Sequence, residues 1–133
     1  MWLRVDCRLN NRYCGRCCYK TEMPLSREDI KRIEDLGYPR DHFLIWRKGL
    51  PRLRNTDGHC VFLDVTSGKC TIYPHRPEGC RLYPLIYTRT RGVMVDPLCP
   101  KAASIPISDV RRLAPVLIKL LRKLEEEYCV KLL

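Results

Sequence analysis

The sequence predicts an α+β fold: a small metal-stapled domain with short antiparallel hairpins, an N-terminal cysteine loop and a C-terminal helix. Three observations carry this expectation. Nine of the 133 residues are cysteines, and Cys7, Cys14, Cys17 and Cys18 all fall in the first eighteen positions. Ten prolines and seven glycines cut the middle of the chain into pieces too short for long elements. Towards the C-terminus the apolar spacing becomes helical. A chain of this length suits one domain, 1–133, with a cysteine-bearing core at 5–101 and a helical segment at 108–132. Two Phe and two Trp make a thin core, and small domains with thin cores usually need disulfides or metal.

The elements follow in order. Residues 1–23 are too rich in Cys, Arg and Asn for a periodic helix and read as a metal-binding loop, with Gly15 easing the turn between Cys14 and Cys17. Ser26 to Gly37 is the clearest local signal. Ser26 and Asp29 form a capping-box pair, Glu28 and Asp29 suit a helix N-terminus, Ile30, Ile33 and Leu36 share a face, and Gly37 stops the helix. Asp41 to Arg54 reads as one or two strands around Gly49-Leu50-Pro51, and Asn55-Thr-Asp57-Gly58 as a turn. Cys60–Asp64 and Cys70–Tyr73 are expected to pair as a hairpin through Ser67-Gly68, each strand opening on a cysteine. Pro74 to Pro84 is expected to be irregular because it holds three prolines and Cys80. Leu85–Thr90 and Val93–Asp96 form a second hairpin turning at Arg91-Gly92. Ser108 is expected to cap a helix carrying Val110, Leu113, Leu117, Leu120, Leu121, Leu124 and Tyr128 on its apolar stripe, kinked or split at Pro115.

Residues 1–7 (MWLRVDC) lack the apolar run of a secretory signal, and no stretch reaches the ~20 apolar residues of a membrane span. The expectation is a cytoplasmic protein with no membrane partner, a setting where clustered cysteines bind metal more often than they form disulfides. The chain has no Gln and 17 Arg against 8 Lys, a thermophile-like composition. Cytosolic disulfides occur in hyperthermophiles. Thermophiles also tend to shed labile cysteines, so nine retained ones point to metal. The formal charge is +10, falling to about +6 if eight thiolates hold two divalent ions. This admits nucleic acid as a partner without requiring it.

Thiolates are soft anionic ligands suited to zinc or iron. Cys14-x2-Cys17 has chelating spacing, and adjacent Cys17 and Cys18 divide naturally between two centres. Cys60, Cys70 and Cys80 follow at even intervals. The pattern is neither a zinc finger nor a ferredoxin run. Together Cys14-Gly-Arg-Cys17-Cys18, Cys60-Val-Phe-Leu, Cys70-Thr-Ile-Tyr73, Arg76-Pro-Glu-Gly-Cys80-Arg-Leu-Tyr-Pro84 and Asp96-Pro-Leu-Cys99-Pro100 resemble the YkgJ-like cysteine-cluster family, the zinc- or iron-chelating domain of CxxCxxCC signature. The likeness covers residues 5–101. It departs at Cys7: six residues intervene before Cys14, where family members often have two. The resemblance implies metal chelation, and many relatives are described as iron–sulfur proteins or oxidoreductases. A related region occurs in flagellin lysine methylases, but this chain shows no glycine-rich nucleotide-binding loop.

The expected metal ligands are Cys7, Cys14, Cys17, Cys18, Cys60, Cys70, Cys80 and Cys99. The expected cofactor is an iron–sulfur cluster, such as [4Fe–4S], or zinc. Cys129 is expected to be a core cysteine on the last helix. His59 and His75 are expected outside the ligand set, and Arg76 and Arg81 are expected to bond thiolates or nearby carbonyls. Tyr73 and Tyr83 read as packing residues, and Trp46-Arg47-Lys48 as a solvated basic edge. Three functions stay open: an iron–sulfur protein in electron transfer or as the redox component of a larger enzyme, with a redox or other protein partner; a zinc-stabilised module binding nucleic acid or protein; and a methyltransferase-like modifying enzyme.

Overall fold

The computed structural model describes residues 8–9, 12–13, 18 and 22–133. Strands β1 (Arg8–Leu9) and β2 (Arg12–Tyr13) pair antiparallel, so the expected N-terminal loop contains a short ladder. Helix α1 runs Arg27–Asp35 and starts with the predicted capping box: the Asp29 amide donates to Ser26 Oγ at 3.1 Å, and the Ser26 amide donates to Asp29 Oδ2 at 3.0 Å. Its apolar face buries Ile30 and Ile33, while Leu36 lies at the exposed end.

A one-turn helix not foreseen in the sequence, α2 (Arg40–Phe43), leads into β3 (Leu44–Arg47) and β4 (Leu50–Leu53). Their two-residue turn places Lys48 and Gly49 at φ 54° and 78°, both left-handed, as a twist-matched hairpin turn requires. The segment before α1 pairs with the edge of β4. Leu25 N–H donates to the Pro51 carbonyl at 2.8 Å and Leu53 N–H to the Met23 carbonyl at 2.9 Å. This anchors the chain just after the N-terminal cysteines.

Next come β5 (Asn55–Thr56) with β6 (His59–Cys60), and β7 (Leu63–Asp64) with β8 (Lys69–Cys70). The predicted hairpin through Ser67-Gly68 is present as β7–β8, but Cys60 is not part of it. Cys60 pairs with Asn55 across the Asp57-Gly58 turn, and Cys70 pairs with Leu63, so each cysteine ends a strand rather than opening one. The left-handed Asp57-Gly58 turn captures β6 before it can extend towards β7. Each ladder runs one rung further, through Val61 N–H to the Arg54 carbonyl (3.0 Å) in the first hairpin and Thr71 N–H to the Phe62 carbonyl (2.7 Å) in the second.

The stretch expected to be irregular is ordered into a 3₁₀ turn, Tyr73–His75, and helix α3, Glu78–Leu82. Pro74 sits in the first turn of the former and Pro77 at the N-cap of the latter, positions where the missing N–H costs no helical bond. β9 (Leu85–Thr88) and β10 (Gly92–Val95) form the predicted second hairpin. Tyr83 packs beside it and donates its hydroxyl to Asp96 Oδ2 at 2.6 Å.

Helix α4 spans Ile107–Tyr128 without interruption. Pro115 therefore does not split it, and the cap is Pro106, with Ser108 inside the first turn. Leu113, Leu117, Leu120 and Leu124 are the buried stripe. The N-terminus of α1 is tied to the far end of α4, where Arg27 N–H donates to Glu127 Oε1 at 3.0 Å.

Two apolar clusters result. The first gathers Leu25, Ile33, Phe43, Leu53, Phe62 and Ile72. The second joins Leu50, Leu82 and Leu85 to the α4 stripe. Among the described residues, no helix is long and apolar enough to cross a membrane.

Candidate metal centre

Four of the predicted ligands share one environment. Cys60, 4% exposed, belongs to the first apolar cluster, and the partly buried Cys18, Cys70 and Cys80 pack against it. They arrive from four separate places: the N-terminal stretch, the end of β6, the end of β8 and the middle of α3. Cys99 is half-buried in the turn after β10, with its N–H donating to the Asp96 carbonyl at 3.1 Å, and belongs to neither apolar cluster. Cys7, Cys14 and Cys17 lie outside the described residues. Among the described residues, no three Cys, His, Asp or Glu side chains stand close enough to share one ion.

Cys129 corrects the sequence reading. It is exposed, not a core residue, because α4 ends at Tyr128 and Cys129 takes a left-handed conformation (φ 54°) that turns it off the apolar stripe. His59 Nδ1 is 2.9 Å from the Cys60 carbonyl, to which it donates, and His75 is exposed on the 3₁₀ turn.

Helix α3 holds Cys80, and its setting is built by a residue whose reach was not legible. Asp29 is fully buried. Besides closing the α1 cap, its Oδ1 accepts from Arg32 at 2.7 Å and from the Glu78 amide, at the start of α3, at 3.1 Å. One carboxylate thus caps two helices. Ser26 Oγ adds a bond to Glu78 Oε2 at 3.3 Å, and Arg32 also donates to the Arg76 carbonyl at 3.1 Å. Gly79, just before Cys80, allows close approach to Met23: a Cβ there would run into its Sδ.

Arginines surround this helix. Arg76 lies over the Tyr73 ring at 3.9 Å, and donates to the Tyr73 carbonyl at 3.1 Å and the Cys80 carbonyl at 3.4 Å. The predicted carbonyl role of Arg76 and packing role of Tyr73 are therefore seen. Burial, reinforced by the neighbouring Arg32 charge, lowers the pKa of Arg81.

Two buried N–H groups, Arg32 Nε and Arg54 Nε, have no hydrogen-bond partner. Arg32 braces α3, and Arg54 precedes the strand that pairs with Cys60. A buried orphan donor costs about 1–3 kcal/mol. Soft sulfur donors gathered on an apolar cluster suit zinc or iron.

Comparison with known proteins agrees with this donor chemistry. An uncharacterized protein of Methanocaldococcus jannaschii is 35% identical over a 78-residue alignment that covers 53% of this chain and 41% of that protein. The chain thus covers less than half the length of that relative. No solved structure matches. The family model for CxxCxxCC, described as a putative zinc- or iron-chelating domain, matches residues 6–100. The chain belongs to this CxxCxxCC family of zinc- or iron-chelating domains.

Proposed function

We propose that the chain is an iron–sulfur protein acting in electron transfer, or as the redox component of a larger enzyme. Its ligands are drawn from Cys7, Cys14, Cys17, Cys18, Cys60, Cys70, Cys80 and Cys99. The observation that carries the reading is the packing of Cys18, Cys60, Cys70 and Cys80, from four elements, on one apolar cluster. The cluster, when bound, supplies one-electron redox chemistry whose potential depends on hydrogen bonds to sulfur and on burial. The chain's own groups serve that end. Asp29 and Arg32 fix α3 and so aim Cys80; Arg76 holds the Cys80 carbonyl; the apolar cluster keeps water away.

Zinc is the competing occupant, since the same sulfurs suit it. It would make the centre a structural staple, and the +10 charge then favours a binding module. Protein purified without oxygen is expected to be brown, to absorb near ~400 nm and to contain iron and sulfide. Cys60→Ser and Cys80→Ser should lower metal content, whereas Cys129→Ser should not. Colourless protein with stoichiometric zinc and no sulfide would refute the redox reading and leave the staple. Undiminished metal in both Cys60→Ser and Cys80→Ser would refute the ligand assignment.

A further inference from the structure

The C-terminal tail draws the tips of two hairpins into one basic face. Tyr128 packs against Trp46 edge-to-face, with ring centres 5.9 Å apart. Two residues on, Val130 approaches the β3–β4 tip so closely that a Cβ on Gly49 would lie 2.9 Å from its Cγ1. The next residue, Lys131, accepts through its carbonyl from Arg89 in the β9–β10 loop at 3.4 Å. Three residues of chain reach at most ~10 Å, so the two tips stand side by side.

Lys48, Arg89, Arg91 and Lys131 stand at or beside these tips, with Arg47 at the end of β3, and all five are exposed. Acids temper them, and besides the two that follow Glu127 lies close enough to act on Tyr128. Glu22 pairs with Arg47 at 3.0 Å. Glu125 turns its carboxylate to the Leu132 and Leu133 amides at 2.7 and 3.1 Å. The face therefore stays cationic. Trp46 sits among these charges with 62% of its surface exposed, held in place by Tyr128. Core packing does not account for a large ring so open to solvent.

The geometry points to a binding surface for single-stranded nucleic acid, with phosphates on Lys48, Arg89, Arg91 and Lys131 and a base stacked on Trp46. Phosphate neutralisation supplies the attraction, and a ring face held at the edge of a cationic strip supplies a platform that any base can use. An acidic protein segment would use the charges but not the exposed ring. The inference stands apart from the metal reading, because none of these residues is among the proposed ligands.

The test is fluorescence anisotropy of a labelled oligouridylate of about 12 nucleotides, with full-length protein carrying its metal. Four phosphate contacts predict about a 50-fold loss of affinity between 50 and 200 mM salt. Trp46→Ala should weaken binding by about 5- to 150-fold. Lys48→Glu and Arg91→Glu should weaken it and flatten the salt dependence. Lys31→Glu, the same charge change on exposed α1, should stay within about twofold of the parent. Three results would overturn the proposal: no binding at 50 mM salt; equal losses in Lys31→Glu and Lys48→Glu, marking diffuse charge alone; or undiminished binding by Trp46→Ala with polyglutamate competing more strongly, marking an acidic protein segment. Metal content, measured in every sample, is expected to be unchanged, so failure here leaves the metal reading standing, and loss of that reading leaves this one.

Discussion

Replacing Asp29 with Ala tests whether one buried carboxylate organises the cysteine-bearing half. The side chain is fully buried and accepts three bonds, from the Ser26 amide, the Glu78 amide and Arg32. Loss of the α1 capping partner costs about 1 kcal/mol. Stranding the part-buried Glu78 amide costs about 1 kcal/mol more. The Arg32 partner is 27% exposed, so its ion pair is discounted for solvent to about 1 kcal/mol. Together these predict a destabilisation of about 3 kcal/mol, or roughly 12 °C in Tm for a domain of this size. Ser26→Ala loses the cap and the bond to Glu78 but keeps the Asp29 link to α3, so it should cost about 1 kcal/mol. Because Cys80 lies two residues beyond Glu78, Asp29→Ala should also lower metal occupancy more than Ser26→Ala does. Urea denaturation and metal analysis of the two variants provide the measurement. Equal stability and equal metal content in both would show that the link between α1 and α3 positions nothing.

Two further outcomes follow from single side chains. Burial raises the pKa of Tyr128 to about 12, and its hydroxyl is buried without a hydrogen-bond partner. Its contribution to stability is present below the unfolded value near 10 and is lost as pH rises through 12, so Tyr128→Phe should lose less stability than the parent over that window; identical pH profiles would refute the assignment. Gly79→Ala should cost about 1–2 kcal/mol through collision with Met23, and less in a Met23→Ala background, as a double-mutant cycle in urea would show.

What was legible in the sequence is what neighbouring residues decide. Ser26 and Asp29 stand three apart, so their capping box can be read directly, as can the Asp57-Gly58 turn and the β9–β10 hairpin. The misread elements turn on a competition. Asp57-Gly58 commits Cys60 to Asn55, so the apolar run after Cys60 cannot form one strand with it. Pro77 and Pro106 begin helices, where the run of prolines around Cys80 suggested only irregularity and Ser108 looked the better cap. The second role of Asp29 spans 49 residues to Glu78, and no local pattern announces it. A buried acid at N3 with Arg32 three residues later was the available signal. The candidate sulfur donors could be named from cysteine spacing, but the apolar setting common to Cys18, Cys60, Cys70 and Cys80 depends on how four distant elements pack.

The two apolar clusters bear differently on metal. The first contains Cys60 and packs against Cys18, Cys70 and Cys80, and its hairpins β5–β6 and β7–β8 are only two residues per strand. Such ladders bury too little to stand alone. Among the described residues the second cluster has no cysteine, and it rests on a 22-residue helix against a hairpin of four-residue strands. Metal binding energy that is also folding energy should therefore be concentrated in the first. Removing metal with a chelator under reducing conditions should accelerate hydrogen exchange by about tenfold or more at the amides of Val61, Thr71 and Arg81, while Leu117, Leu120 and Leu124 change little. Arg81 is the discriminating probe, because α3 places Cys80 on one cluster and Leu82 in the other. If α4 lost protection as fully as the hairpins, the two clusters would be one cooperative unit, and the division of labour argued from their composition would be wrong.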